Sequence, residues 1–219
     1  MARLKHSGST RSLRRQLFPR GFAGEVMVLI SETWHDFCLN TKVYHETPIT
    51  AVFRQALIEA YRTAGRSWFI SLEDPITEPH FGTELGRNDL RFYPLNHCGQ
   101  TVFFTVECKR LRVKTSSRLK SLAGTYVNDG MLRFVNGQYS AGLPCGGMIG
   151  YVMDNNLKEA FASVRKEIES KRDRLKISSK DALRTPSATL PDHEWSADTF
   201  HKRAEGVFAL HHALLGVTT

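Results

Sequence analysis

The sequence contains no run of 18 or more apolar residues, so nothing in it reads as a membrane-crossing helix. No apolar stretch of signal-peptide kind follows the basic N-terminus. The best candidate, Gly24–Ile30, is interrupted by Glu25. Cysteine is scarce, and Cys38, Cys98, Cys108 and Cys145 form no C-x-x-C pair. With no leader, this predicts a reducing, cytoplasmic setting with free thiols and no membrane partner, rather than disulfides or structural zinc. G-x-x-x-x-G-K-[S/T] is missing, which excludes a nucleotide P-loop. H-E-x-x-H and any His/Cys set at zinc spacing are missing too.

What is present is basic. The chain has 219 residues, 30 Lys plus Arg against 22 Asp plus Glu, and a formal charge of +8. That length suits one α/β domain with a real core, and the charge suggests a polyanionic partner. The excess is uneven. Six of the 30 cations lie in residues 1–21, which contain no acid, leaving 24 cations against 22 acids in the rest. Residues 1–21 therefore read as a flexible basic tail, with Arg14 and Arg15 as candidate contacts to a nucleic-acid backbone. Residues 22–219 read as a single domain.

Glu25–Phe37 reads as a helix. Pro48–Ala64 is a clearer one, with Thr47 as expected N-cap and an apolar stripe of Ile49, Val52, Phe53, Ala56, Leu57 and Ala60. Ser67–Leu72, Asp89–Tyr93 and Thr101–Leu111 read as strands, and 96–100 as a turn. Residues 116–135 are expected to be partly helical, Gly137–Gly147 a connection and Met148–Met153 a strand. Leu157–Leu175 reads as a helix, 177–199 as a loop or insertion, and Gly206–Val217 as a last strand. This order predicts an α/β sandwich around a mixed sheet.

Arg87–Leu111 is the most informative stretch. With the turn centred on Cys98, facing residues have numbers summing to 196. Leu90 then faces Val106, Phe92 faces Phe104 and Pro94 faces Val102, which makes one face apolar. The other face sets Asp89 opposite Glu107, with Lys109 two residues on. Directly opposed residues have Cβ atoms ~4.5–5.5 Å apart. Two carboxylates that close repel unless a cation lies between them. Hard oxygen ligands suit Mg²⁺ or Mn²⁺.

Asp89, seventeen residues, then Glu107-Cys108-Lys109 resembles the D…(D/E)-x-K signature of the PD-(D/E)XK phosphodiesterases, although Asn88 stands where the name-giving proline would be. The resemblance covers residues 45–155 and, more loosely, the last strand. It implies a restriction-endonuclease-like fold with an αβββαβ core. It also implies hydrolysis of nucleic acid, expected to be DNA, with Asp89 and Glu107 as ligands of Mg²⁺ or Mn²⁺. Lys109 would position the attacking water. The segment Tyr126–Tyr151, with GMLRF and GGMIGYV, is similar to restriction-like nucleases of bacterial anti-phage systems.

Many members of that family add an acid from the first helix. Extrapolating the Pro48 helix sets Glu46 within roughly 50° of the apolar stripe and Glu59 about 90° away, so Glu46 is the expected fourth site residue. Arg133 is a candidate phosphate contact. His211 and His212 are neighbours on one strand, so one is expected in the core and one outside. His201 reads as a surface residue. With little room for a specificity domain, targeting is expected to come from a partner protein, self-association or substrate structure. An RNA-cleaving enzyme and a non-catalytic scaffold with a nuclease-like fold stay open as alternatives.

Overall fold

The computed structural model describes residues 10–37, 45–65, 68–71, 75–77, 84–87, 89–95, 101–116 and 118–217. The expected turn at 96–100 lies outside them. Helices α1 (Thr10–Leu17), α2 (Phe22–Asp36) and α3 (Glu46–Ala64) come first. Strands β1 (Trp68–Ser71), β2 (Pro75–Thr77), β3 (Glu84–Arg87), β4 (Leu90–Pro94) and β5 (Phe104–Leu111) follow. Two short strands, β6 (Val113–Lys114) and β7 (Leu119–Lys120), lead into a helical run. This run is α4 (Ala123–Thr125), a π-helical stretch (Tyr126–Met131) and α5 (Leu132–Val135). Then come β8 (Cys145–Val152), α6 (Leu157–Ser170), β9 (Ser196–Arg203) and β10 (Gly206–Gly216).

Six strands form the central sheet in the order β1-β4-β5-β8-β10-β9. The strands β5, β8 and β10 run parallel, while β1, β4 and β9 join antiparallel. Helices cover both faces. On one side α2 and α3 bury Met27, Ile30, Trp34, Ile49, Phe53 and Leu57 against Phe92, Phe104, Val106 and Ile149. On the other, the 123–135 run and α6 bury Tyr126, Met131, Phe134, Val164 and Ile168 against Met148, Leu210 and Leu214. The mixed sheet between helical layers agrees with the expected α/β class.

The hairpin register is as expected: Leu90 faces Val106, Arg91 faces Thr105 and Phe92 faces Phe104. Its second face is not solvated, because the helical run covers it and leaves Thr105, Glu107 and Lys109 buried.

Several expectations are corrected. The N-cap of α3 is His45, not Thr47, so Pro48 falls in the first turn, where its missing N–H leaves no bond unmade. Strand β8 begins at Cys145, within the expected glycine connection. Within the expected loop 177–199, residues 177–195 carry only isolated bridges, such as Arg184 to Asp198, but 196–199 belong to β9. Both His211 and His212 are buried, since both sheet faces are covered, and so is His201. In the expected flexible tail, residues 1–9 lie outside the described ones, but Thr10–Leu17 is helical. Arg14 Nη1 donates to the Ala141 carbonyl (3.4 Å) and Arg15 Nη2 to the Val207 carbonyl (2.6 Å). Those guanidinium groups dock α1 on the protein's own chain.

Every residue of β8 is buried, and its glycines let both layers close in. A Cβ on Gly146 would stand 2.5 Å from Phe134 Cε1 and 2.9 Å from Cδ1, on a ring already stacked on Phe208. A ring so packed cannot swing aside. Gly146→Ala is therefore expected to destabilise by about 1–3 kcal/mol through overpacking, outweighing the entropic gain of replacing glycine in a strand. A lowered urea midpoint checks this.

The histidines form a directed chain. His201 Nδ1 faces the Leu175 carbonyl at 2.7 Å, so it carries a proton and donates it. His201 Nε2 then accepts from Thr199 Oγ1 (2.7 Å), which accepts from His212 Nε2–H (2.9 Å). His212 Nδ1 accepts from the Tyr126 hydroxyl at 2.9 Å. Each hydroxyl has one proton, so the order holds only with both imidazoles neutral. Burial depresses them accordingly, His201 to about 4 and His212 to about 3.

Candidate functional site

The site lies where β4 ends short of β5. Pairing stops at Leu90–Val106, so among the described residues no strand lies beside the next outward N–H groups of β5. Two carboxylates stand in for it. Asp89 Oδ2 accepts from the Cys108 N–H at 2.7 Å, and Glu46 Oε2 from the Arg110 N–H at 3.0 Å. Glu46 is held there because α3 is clamped to the sheet one turn later. Ile49 and Thr50 are buried, and Thr50 Oγ1 meets the Tyr151 hydroxyl on β8 at 3.3 Å.

Lys109 sits among these acids. Its Nζ lies 2.7 Å from Glu46 Oε1, 2.9 Å from Glu107 Oε1 and 2.9 Å from the Cys108 carbonyl. The π-helical stretch lies over its stem. A Cβ on Gly130 would stand 2.6 Å from Met148 Cε, so glycine makes room for Met148, with Lys109 Cγ in ordinary contact at 3.6 Å. The wider π turn leads straight into α5, which carries Arg133 to Glu107 Oε1 (Nη1, 3.3 Å) and to the Tyr139 hydroxyl (2.5 Å).

The four expected residues, Asp89, Glu107, Lys109 and Glu46, thus come together with Arg133. Glu59 does not: it is exposed on the flank of α3 and pairs with Arg62. Tyr139, which holds Arg133, was not expected; a lone tyrosine after a helix carries no signal of its own. The Asp198–His211–Ser187 cluster has the composition of a hydrolytic triad but not its wiring. Ser187 Oγ donates to Asp198 Oδ1 (2.6 Å), as does His211 Nδ1 (2.8 Å), so the serine is tied to the acid and no base activates it.

The electrostatics are strained. Burial, then the charge of Asp89, raises the Glu107 carboxyl to about 8 against the pull of Lys109 and Arg133. Burial also raises Asp89, opposed by Lys109 and by the Cys108 N–H. For Lys109, burial works against the charge, but Glu107, Asp89 and Glu46 outweigh it and the ammonium is held more tightly than usual. If Glu107 takes a proton, Asp89 and Glu46 still keep Lys109 charged.

Among the described residues no group of three or more His, Cys, Asp or Glu side chains is gathered as a metal cage. The residues nevertheless fit a hard divalent cation. Glu107 Oε2 is fully buried with no hydrogen-bond partner among the described residues, beside a second carboxylate that repels it. Mg²⁺ binds through one or two carboxylates, with water and substrate phosphate completing its shell. Comparison of the chain with family models, with curated proteins and with solved structures gives no match.

Proposed function

We propose that the protein is a metal-dependent phosphodiesterase of the restriction-endonuclease-like class that hydrolyses DNA. The observation that carries this reading is the orphaned Glu107 Oε2, buried beside Asp89 and next to Lys109. Asp89 and Glu107 would hold Mg²⁺ or Mn²⁺, which when bound supplies positive charge at the phosphate and acidifies a water. Lys109 stands between the two carboxylates on the β5 edge, and its side chain keeps 9% of its surface exposed. There its N–H groups orient the attacking water and meet the charge that grows on the phosphate oxygens. Glu46 fixes the Lys109 ammonium, and Arg133 gives the phosphate a second donor. An anti-phage role and a targeting partner are parts of the same proposal.

The test is Mg²⁺-dependent cleavage of plasmid DNA. Asp89→Asn keeps an acceptor for the Cys108 N–H while removing the charge, so it is expected to fold and to lose at least about a hundredfold in rate. Cleavage unchanged in Asp89→Asn, or independent of divalent metal, refutes the site. A second reading, a non-catalytic scaffold, is favoured by the ion pairs with Glu46 and Glu107 that tie Lys109 into the fold. Under it, no cleavage occurs and Asp89→Asn binds nucleic acid like the wild type.

A further inference from the structure

The chain leaves the candidate active strand through an unusual exit. Three residues after Lys109, Arg112 takes a left-handed φ of 53°, and Leu122, where the chain returns, takes a φ of 57°. Non-glycine residues hold such angles only where their surroundings fix them. Here Arg112 is clamped to both Asp154 oxygens at 2.9–3.0 Å through Nε, and its N–H bonds the Ser121 carbonyl at 3.0 Å. Between these two points β6 and β7 form a two-stranded ribbon. Val113 pairs with Lys120, Lys114 with Leu119, and a turn is closed by the Thr115 N–H on the Arg118 carbonyl. The ribbon belongs to no larger sheet.

Its composition is one-sided. From Cys108 to Asn128 the chain has six Lys and Arg and no acid. Lys114, Arg118, Leu119 and Lys120 are exposed. Cross-strand partners share a face and neighbours alternate. Lys120 and Arg118 therefore lie on one face, and Lys114 on the other with Leu119. Cations on both faces do not suit a flat anionic surface, which meets one face only. They suit a groove, where phosphates stand on both walls. The dimensions agree: four residues per arm at about 3.3 Å each reach about 13 Å, against a major groove ~8.5 Å deep and ~12 Å wide, which admits a two-stranded ribbon.

We infer that the β6–β7 ribbon enters the major groove of duplex DNA. Lys114, Arg118 and Lys120 contact the phosphates on its walls and so fix the duplex against the Asp89–Glu107–Lys109 site. This rests on the phosphodiesterase reading for its substrate but is tested by binding, not cleavage. The probe is a random-sequence DNA duplex of about 25 base pairs. Its affinity for the full chain is measured by fluorescence anisotropy in EDTA over a range of salt concentrations. In the Lys114→Ala/Arg118→Ala/Lys120→Ala variant, log K against log salt is expected to be less steep by about 2.7, and binding near 0.1 M salt weaker on the order of a hundredfold. A control variant, Lys158→Ala/Arg165→Ala/Lys166→Ala on α6, is expected to keep the wild-type slope, and both variants the wild-type melting temperature. Three results overturn the inference: an unchanged slope in the ribbon variant, an equal loss in the control, or tighter binding of duplex RNA, whose deep, narrow major groove excludes a ribbon. A slope lost as expected in a protein that never cleaves DNA leaves the ribbon standing and removes the nuclease reading.

Discussion

Lys109→Met is expected to abolish measurable cleavage, a fall on the order of a thousandfold, and to weaken the fold at the same time. Both effects come from one nitrogen. Lys109 Nζ is bonded to Glu46, to Glu107 and to the Cys108 carbonyl, and it is the ammonium that neutralises the buried pair of acids. Removing one electrostatic donor from a closed site costs about 10²–10³ in rate, and the loss of water positioning adds to it. Above about pH 8, where Glu107 is ionised in the metal-free protein, removing one member of the buried ion pair costs about 3–5 kcal/mol, because the remaining charge is uncompensated. Methionine keeps the stem that lies under Gly130, so the loss is electrostatic rather than a cavity. The two effects separate in Glu107→Gln/Lys109→Met. With neither charge buried, most of the stability is expected to return while cleavage does not. Single-turnover rates and urea unfolding read the two quantities. Wild-type cleavage by Lys109→Met would remove lysine from the mechanism, and unchanged stability would mean the acids are already protonated.

The metal-free protein is expected to be most stable near pH 6.5 and to lose on the order of several kcal/mol by pH 4. Between pH 8 and 6.5 the raised Glu107 carboxyl governs. Its folded form takes a proton at about 8 and the unfolded form only near 4.5, so stability rises as pH falls through this window. Below 6.5 the sign reverses. His201 and His212 are depressed to about 4 and about 3, so the unfolded chain gains protons that the folded chain refuses. Two histidines then oppose one acid. The Tyr126–His212–Thr199–His201 chain also breaks when either ring is charged, since His201 Nε2 and His212 Nδ1 must each accept from an O–H. Urea midpoints from pH 8.5 to 4 measure this. Glu107→Gln is expected to flatten the alkaline side and to steepen the fall between pH 6.5 and 4.5, where the two histidines then act unopposed. A profile level between pH 6.5 and 4.5 would show that the two rings are not held neutral.

Much of this was legible in the sequence, for definable reasons. The register of β4 against β5 followed from apolar alternation, because a slip by one residue turns every core side chain outward. Glu46 over Glu59 followed from helical periodicity alone. The errors share another cause. Period-two reasoning assumes one wet face, and this sheet has none near its middle, so neither His211 nor His212 is left outside, and His201 is buried too. The strand β9 was hidden because its sequence, SADTFHKR, is polar; its Ser196, Asp198, Thr199 and His201 are buried and hydrogen-bonded rather than apolar. The basic tail drew attention by its charge, yet Arg14 and Arg15 serve the fold. The acid-free run from Cys108 to Asn128 was as plain in the sequence, but only the left-handed turns at its root show it as a projecting ribbon.

The short reach of β4 has a further meaning. A strand edge with free N–H groups is a template on which another chain can add itself, and proteins guard such edges with charge or cover. Here the guard is the site. Asp89 and Glu46 occupy the donors of Cys108 and Arg110 and present negative charge to any incoming backbone carbonyl. The two acids thus discourage strand addition along this edge. Under the proposed function, the opening offered to a phosphate would be the same opening that refuses a strand.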